Sequence, residues 1–182
     1  MKVVETSIPD LKIIEPKVFG DERGFFMETY REDWFKENVA NVDFVQDNHS
    51  KSKYGILRGL HYQLEHTQGK LVRVTSGEVY DVAIDMRRSS PTFGECFGML
   101  LSEENKKQLW IPAGFAHGFY VTSEFAEFCY RCTDYYHPES EVSIRYDDAT
   151  IGIDWPIGNG KKPTLSAKDE EGVDFKSAPS FT

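Results

Sequence analysis

The sequence predicts an all-β chain, an antiparallel double-sheet sandwich or barrel with a few short helices. Short apolar runs rich in β-branched and aromatic residues alternate with Gly, Pro, Asn, Asp and Ser turns, about every ten residues. Long helical periodicity, which the crossovers of a parallel α/β fold require, is missing. Aromatic residues make up 14% of the chain, a content that suits a sheet-built core or a pocket with stacking walls.

Taken in order, residues 1–50 mix short apolar runs with turns. Ile13 and Ile14 precede Pro16, and Phe19 precedes the turn Gly20-Asp21-Glu22-Arg23-Gly24. Arg31 to Asn38 has acids early and neither Gly nor Pro, and is the best short-helix candidate. From Gly55 the texture is strongly β. Leu71–Val74 and Val79–Asp85 flank the turn Ser76-Gly77-Glu78 and read as a hairpin. Further strands are expected around Phe97–Leu101, Leu109–Ile111, Gly118–Val121 and Phe128–Thr133. The tail from Ile151 to the end carries Pro156, Gly158, Gly160 and Pro163 and reads as loop, with a short helix near Ser166–Glu171. With 182 residues and no linker or repeat, one domain over residues 1–182 is expected.

A net charge of −9 argues against general nucleic-acid binding, which needs a positive field. An anionic small ligand then requires a local cluster of Arg and Lys. No stretch approaches the ~20 apolar residues that cross a bilayer, and MKVVETSIPD lacks a signal-peptide apolar region. A cytoplasmic protein with no membrane partner is expected. Three cysteines do not make a disulfide framework, and Cys129 and Cys132 lack the further ligands of a metal site.

Two histidines sit in turn-rich segments, His61 in Leu57–Gln63 and His117 in Pro112–Gly118. The second matches the P-x-G-x-x-H half of the cupin pattern. Metal-binding cupins place His-x-His in the first half, whereas this chain reads His61-Tyr62-Gln63, so no metal is expected. Arg58 precedes His61, and Lys70 and Arg73 follow it. Strand alternation allows Arg58 and Lys70 to face one cavity, which would supply the basic cluster.

Several ordered segments carry a likeness to a known family. They are Phe44–Ser50, Gly55–Gln63, Gln68–Val74, Gly77–Arg87, Pro112–Phe119, Ile151–Pro156 and Leu165–Asp169. Together they resemble the dTDP-4-dehydrorhamnose 3,5-epimerases over nearly the whole chain. The resemblance implies a jelly-roll, cupin-like β-barrel. It implies that His61 is the general base, Asp169 its paired carboxylate and Tyr130 the acid on the opposite side of the sugar. Lys70 would be the cation beside the keto oxygen, with His117 lining the same pocket. Arg23, Glu28, Gln46, Asn48, Arg58, Glu141 and Lys168 match positions that hold nucleotide, diphosphate or sugar. It further implies a homodimer with exchanged N-terminal strands, so that Arg23 and Glu28 would reach a partner's pocket.

The implied reaction inverts carbons 3 and 5 of dTDP-4-dehydro-6-deoxy-D-glucose through an enolate, toward dTDP-rhamnose. It needs no redox cofactor, in keeping with the absence of a G-x-G-x-x-G fingerprint. Alternatives are a mono-epimerase or ketoisomerase on a related 4-ketosugar, a metal-dependent cupin, and a non-catalytic sugar-nucleotide binder.

Overall fold

A computed structural model describes residues 1–158 and 160–182; Asn159, within the tail expected to be loop, lies outside the described residues. The first half of the chain forms β1 (Lys2–Glu5), β2 (Lys12–Glu15), β3 (Val18–Asp21), β4 (Gly24–Met27), α1 (Glu32–Asn38), β5 (Gln46–Lys53), β6 (Leu57–Gln63), β7 (Lys70–Ser76) and β8 (Glu78–Asp85). It continues through β9 (Cys96–Ser102), β10 (Gln108–Ile111), β11 (Phe115–Val121), β12 (Phe125–Cys132), β13 (Glu141–Ser143) and α2 (Ala167–Glu170).

One sheet runs β1-β2-β10-β7-β12-β5 and a second runs β13-β6-β11-β8-β9. All pairings of neighbouring strands are antiparallel. This is the expected double-sheet jelly roll. Both helices fall where the sequence places them. Alternation along the strands sorts side chains between layers. Val72, Val74, Val79, Ala83, Phe119, Val121, Ala126 and Phe128 meet in the core between the sheets. Tyr62, Val82, Ile84 and Tyr120 face a second cluster that the C-terminal segment covers with Trp155 and Ala178. Phe35 of α1 lies with Leu71 and Trp110 on the outside of the first sheet.

The hairpin expected between Leu71–Val74 and Val79–Asp85 does not form. β7 pairs with β10 and β12, and β8 with β11 and β9, so the chain passes from one sheet to the other at Gly77. Gly77 has φ +75, and a Cβ there would lie 1.9 Å from the Phe125 carbonyl oxygen. The turn that looks like a hairpin loop is a corner between layers, where only glycine fits.

A bulge in β6 sets which of its side chains face the interior. His117 is opposite His61 and Phe119 opposite Arg58, with the register shifting between them. Arg58 and His61 are three residues apart, and strict alternation would send them to opposite faces. The extra residue lets both face the interior. Gly59 makes this possible with φ +118; a Cβ there would lie 2.6 Å from both Gly118 Cα and the His117 carbonyl oxygen. We expect Gly59→Ala to cost at least ~2 kcal/mol in guanidinium unfolding, from positive φ plus a backbone clash, and to lower turnover with it. An unchanged unfolding midpoint would show that the bulge does not depend on this glycine.

Candidate active site

One end of the sandwich opens into a cavity of about 540 Å³. The first sheet lines it with Gln46, Asn48 and Ser50 of β5, Lys70 of β7, and Phe128 and Tyr130 of β12. The second sheet contributes Arg58 and His61 of β6, His117 and Phe119 of β11, and Glu141 of β13. Ser166, Lys168 and Asp169 close one side from α2 and its cap.

His61 Nε2 lies 2.5 Å from Asp169 Oδ1. Asp169 is buried, and its second oxygen accepts the Ser166 hydroxyl at 2.7 Å. Ser166 caps α2 by accepting from the Asp169 backbone N–H at 3.2 Å, so cap and carboxylate fix one another. Burial alone would raise the Asp169 pKa; the hydrogen bonds from His61 and Ser166 outweigh it and hold the carboxyl below its ordinary range. An ionised carboxylate only accepts, so the ring proton of His61 sits on Nε2 and the lone pair on Nδ1. Nδ1 is therefore the atom able to take a proton. Glu141 Oε1 stands 3.7 Å from it.

His117 is a second histidine–carboxylate pair: its Nε2 lies 2.9 Å from Oδ2 of the fully buried Asp81. Its ring stacks on Phe128, with centroids 6.0 Å apart. Lys70 reaches the cavity beside Cys132, and among the described residues no carboxylate lies within 4.0 Å of its ammonium. Burial pushes its pKa down, opposed by the negative groups Glu141 and Asp81. Tyr130 enters from the sheet opposite His61, and burial pushes its phenol up, so it stays protonated at neutral pH. Arg58 stands at the mouth, its Nε donating to Ser52 Oγ at 3.0 Å.

A sequence model described as dTDP-4-dehydrorhamnose 3,5-epimerase matches residues 5–177. The chain belongs to the dTDP-4-dehydrorhamnose 3,5-epimerase family. The protein of that name from Pseudomonas aeruginosa is 56% identical over 182 residues, 100% of this chain and 99% of the relative. A Neisseria gonorrhoeae protein of the same name is 57% identical over 178 residues, 98% of this chain, and this chain spans 54% of that relative's length. Among solved structures, the dTDP-6-deoxy-D-glucose-3,5-epimerase of Legionella pneumophila, in complex with dTDP-4-keto-L-rhamnose, matches with a TM-score of 0.95. It is 55% identical and the match covers 98% of this chain and 94% of that one.

In this member of the epimerase family, ten of the twelve residues singled out from the sequence line one cavity: His61, Tyr130, Asp169, Lys70, Gln46, Asn48, Arg58, His117, Glu141 and Lys168. Arg23 and Glu28 do not. Arg23 is exposed in the turn joining β3 and β4 and pairs with Asp21, and Glu28 is exposed with Arg31 at 4.0 Å. Trp34, Trp110 and Trp155 lie in the outer clusters, away from the cavity. Cys129 and Cys132 are free thiols on β12; Cys132 is buried by Asn48, and Cys129 lies near Thr75. Among the described residues no group of three or more His, Cys, Asp or Glu is arranged to hold a metal.

The sequence did not point to Tyr136, Asp81, Ser166, Ser50, Gln68, Phe119 or Phe128. Two left readable signals. Ser166-Ala167-Lys168-Asp169 has capping-box spacing with Asp in place of Glu, and Asp81 is a carboxylate inside an apolar strand, which demands a buried partner. Tyr136 left none, being one of two adjacent exposed tyrosines in a loop.

Proposed function

We propose that the enzyme inverts carbons 3 and 5 of dTDP-4-dehydro-6-deoxy-D-glucose, giving dTDP-4-dehydro-L-rhamnose, with His61 as base and Tyr130 as the opposing acid. The observation that carries this reading is the placement of a carboxylate-held histidine and a tyrosine on opposite sheets, facing one cavity. Carbons 3 and 5 flank the 4-keto group, so loss of either proton gives an enolate. His61 Nδ1 takes that proton, and the Asp169 carboxylate stabilises the imidazolium through Nε2–H. The enolate charge sits largely on the keto oxygen, and Lys70, without a carboxylate neighbour within 4.0 Å among the described residues, supplies the counter-charge. Tyr130 then delivers a proton to the opposite face, which inverts the carbon.

Arg58 supplies positive charge at the mouth for the diphosphate, with Gln46, Asn48 and Lys168 as further polar groups around the substrate. Incubating the purified enzyme with dTDP-4-dehydro-6-deoxy-D-glucose and identifying the product by NMR tests the assignment. Recovered substrate would contradict it, and a product inverted at one carbon would mark a mono-epimerase.

We further propose a homodimer built through the N-terminal segment. The β3–β4 hairpin stands apart from both sheets and exposes Phe19, Phe25 and Phe26 at 54%, 60% and 70%. Such a run of aromatics needs a cover, and exchange of this hairpin would bring Arg23 and Glu28 toward a partner's cavity. Phe26→Asp is expected to convert a dimer to monomer in analytical ultracentrifugation, with weaker dTDP binding. A wild-type monomer, or a variant dimer of unchanged affinity, would exclude this arrangement. We also assign the enzyme to the cytoplasm; among the described residues no helix is long and apolar enough to cross a membrane.

A further inference from the structure

The lone-pair nitrogen of His61 has a carboxylate of its own to face. Glu141 Oε1 lies 3.7 Å from Nδ1, while its Oε2 accepts hydrogen bonds from Lys168 Nζ at 2.8 Å and the Tyr136 hydroxyl at 2.9 Å. Two donors converge on one oxygen and leave the other turned toward the base. Lys168 precedes Asp169 on α2, so one short element serves both carboxylates.

Tyr136 is held by its backbone. Its N–H donates to Gln46 Oε1 at 2.9 Å, the next N–H, of His137, donates to Gln63 Oε1 at 2.9 Å, and Gln63 Nε2 donates to the Tyr135 carbonyl at 3.1 Å. The loop between β12 and β13 is thereby tied to β5 and β6, the strands flanking the cavity. The Glu141 side chain is 10% exposed. Burial would raise its pKa, but Lys168, His61 and Tyr136 outweigh burial and keep it ionised. Its bond to Glu141 pushes the Tyr136 phenol up to about 12, so Tyr136 remains a donor across the working pH range.

We propose that Glu141 serves the base as a second carboxylate, and that Tyr136 is a positioning residue that holds Glu141 toward His61 Nδ1. The inference rests on His61 being the base. A proton taken from the sugar onto Nδ1 makes an imidazolium flanked by Asp169 on one nitrogen and Glu141 on the other. Both negative charges stabilise the imidazolium as it forms in the transition state, which eases proton removal from carbon. Double epimerisation uses this base twice on each substrate, so a loss at this step affects both inversions. The charged and titratable groups around the ring are Asp169 and Lys168 from α2, Glu141 from β13, Tyr136 from the loop before it, Arg58 on β6 and His117 on β11, with Lys70 and Tyr130 across the cavity.

The test is Tyr136→Phe beside Glu141→Gln, with kcat and KM measured for each against the wild-type enzyme. Tyr136→Phe keeps the ring and removes one donor; kcat is expected to fall about tenfold, the scale of one hydrogen bond to a charged group, with KM within about twofold. Glu141→Gln is expected to lower kcat at least as much, because the imidazolium formed in the transition state loses a negative neighbour. A Tyr136 that only touches the nucleotide would raise KM and leave kcat alone, which overturns the proposal. His61→Ala measured alongside separates the two levels. If it is inactive while both variants keep wild-type kcat, the second-carboxylate role alone fails; if it is active, the base assignment fails and takes this role with it.

Discussion

His61→Ala is expected to lower turnover by on the order of 10²–10⁴-fold, the range a positioned base contributes, while leaving dTDP affinity within about twofold. The split has a geometric cause. His61 sits with its Nε2 on Asp169, and its Nδ1 is the group that can take a proton. Arg58, Gln46 and Asn48, which are proposed to hold the nucleotide, stay in place around the same cavity. A base acts on the transition state more than on ground-state binding, so kcat carries the loss. Asp169→Asn should reproduce part of it, because the amide cannot stabilise the imidazolium as a carboxylate does. Isothermal titration with dTDP and steady-state kinetics decide the matter; parallel losses of affinity and turnover would make His61 a structural or binding residue.

Tyr130→Phe is expected to abolish inversion and keep proton exchange. Without the phenol the proposed proton donor to the opposite face is gone, so epimerisation falls by on the order of 10²–10³-fold. His61 and Lys70 still form the enolate, and the same face is reprotonated from the His61 side. In deuterated water the variant should therefore return substrate carrying deuterium with configuration retained. A variant that still inverts would place the acid elsewhere, and one that neither inverts nor exchanges would make Tyr130 part of enolate formation.

The layer architecture is legible in the sequence because apolar alternation and turn chemistry are local. The partners of the strands are not. Ser76-Gly77-Glu78 between two β-branched runs has the local chemistry of a hairpin loop. What overrides it is that β7 and β8 each find two other neighbours, in separate sheets. That competition is tertiary and leaves no mark at the turn. The site divides in the same way. His61 and Lys70 carry recognisable chemistry, but Tyr130 reads as a core aromatic on its own and Asp169 stands 108 residues from His61, and only family resemblance connected these two to the site. Alternation predicts that Arg58 and His61 point apart, and the bulge at Gly59 reverses this. The Glu141–Tyr136 contact depends on loop closure between β12 and β13, which no periodicity encodes.

Proton NMR of the chelator-treated enzyme with dTDP-4-dehydro-6-deoxy-D-glucose in deuterated water reads the proton transfers at the carbons themselves. Two-sided transfer at both positions next to the ketone predicts deuterium at carbons 3 and 5, each in the inverted product. Deuterium at one carbon alone would contradict double epimerisation, and no incorporation at either would contradict the enolate chemistry assigned to His61, Lys70 and Tyr130.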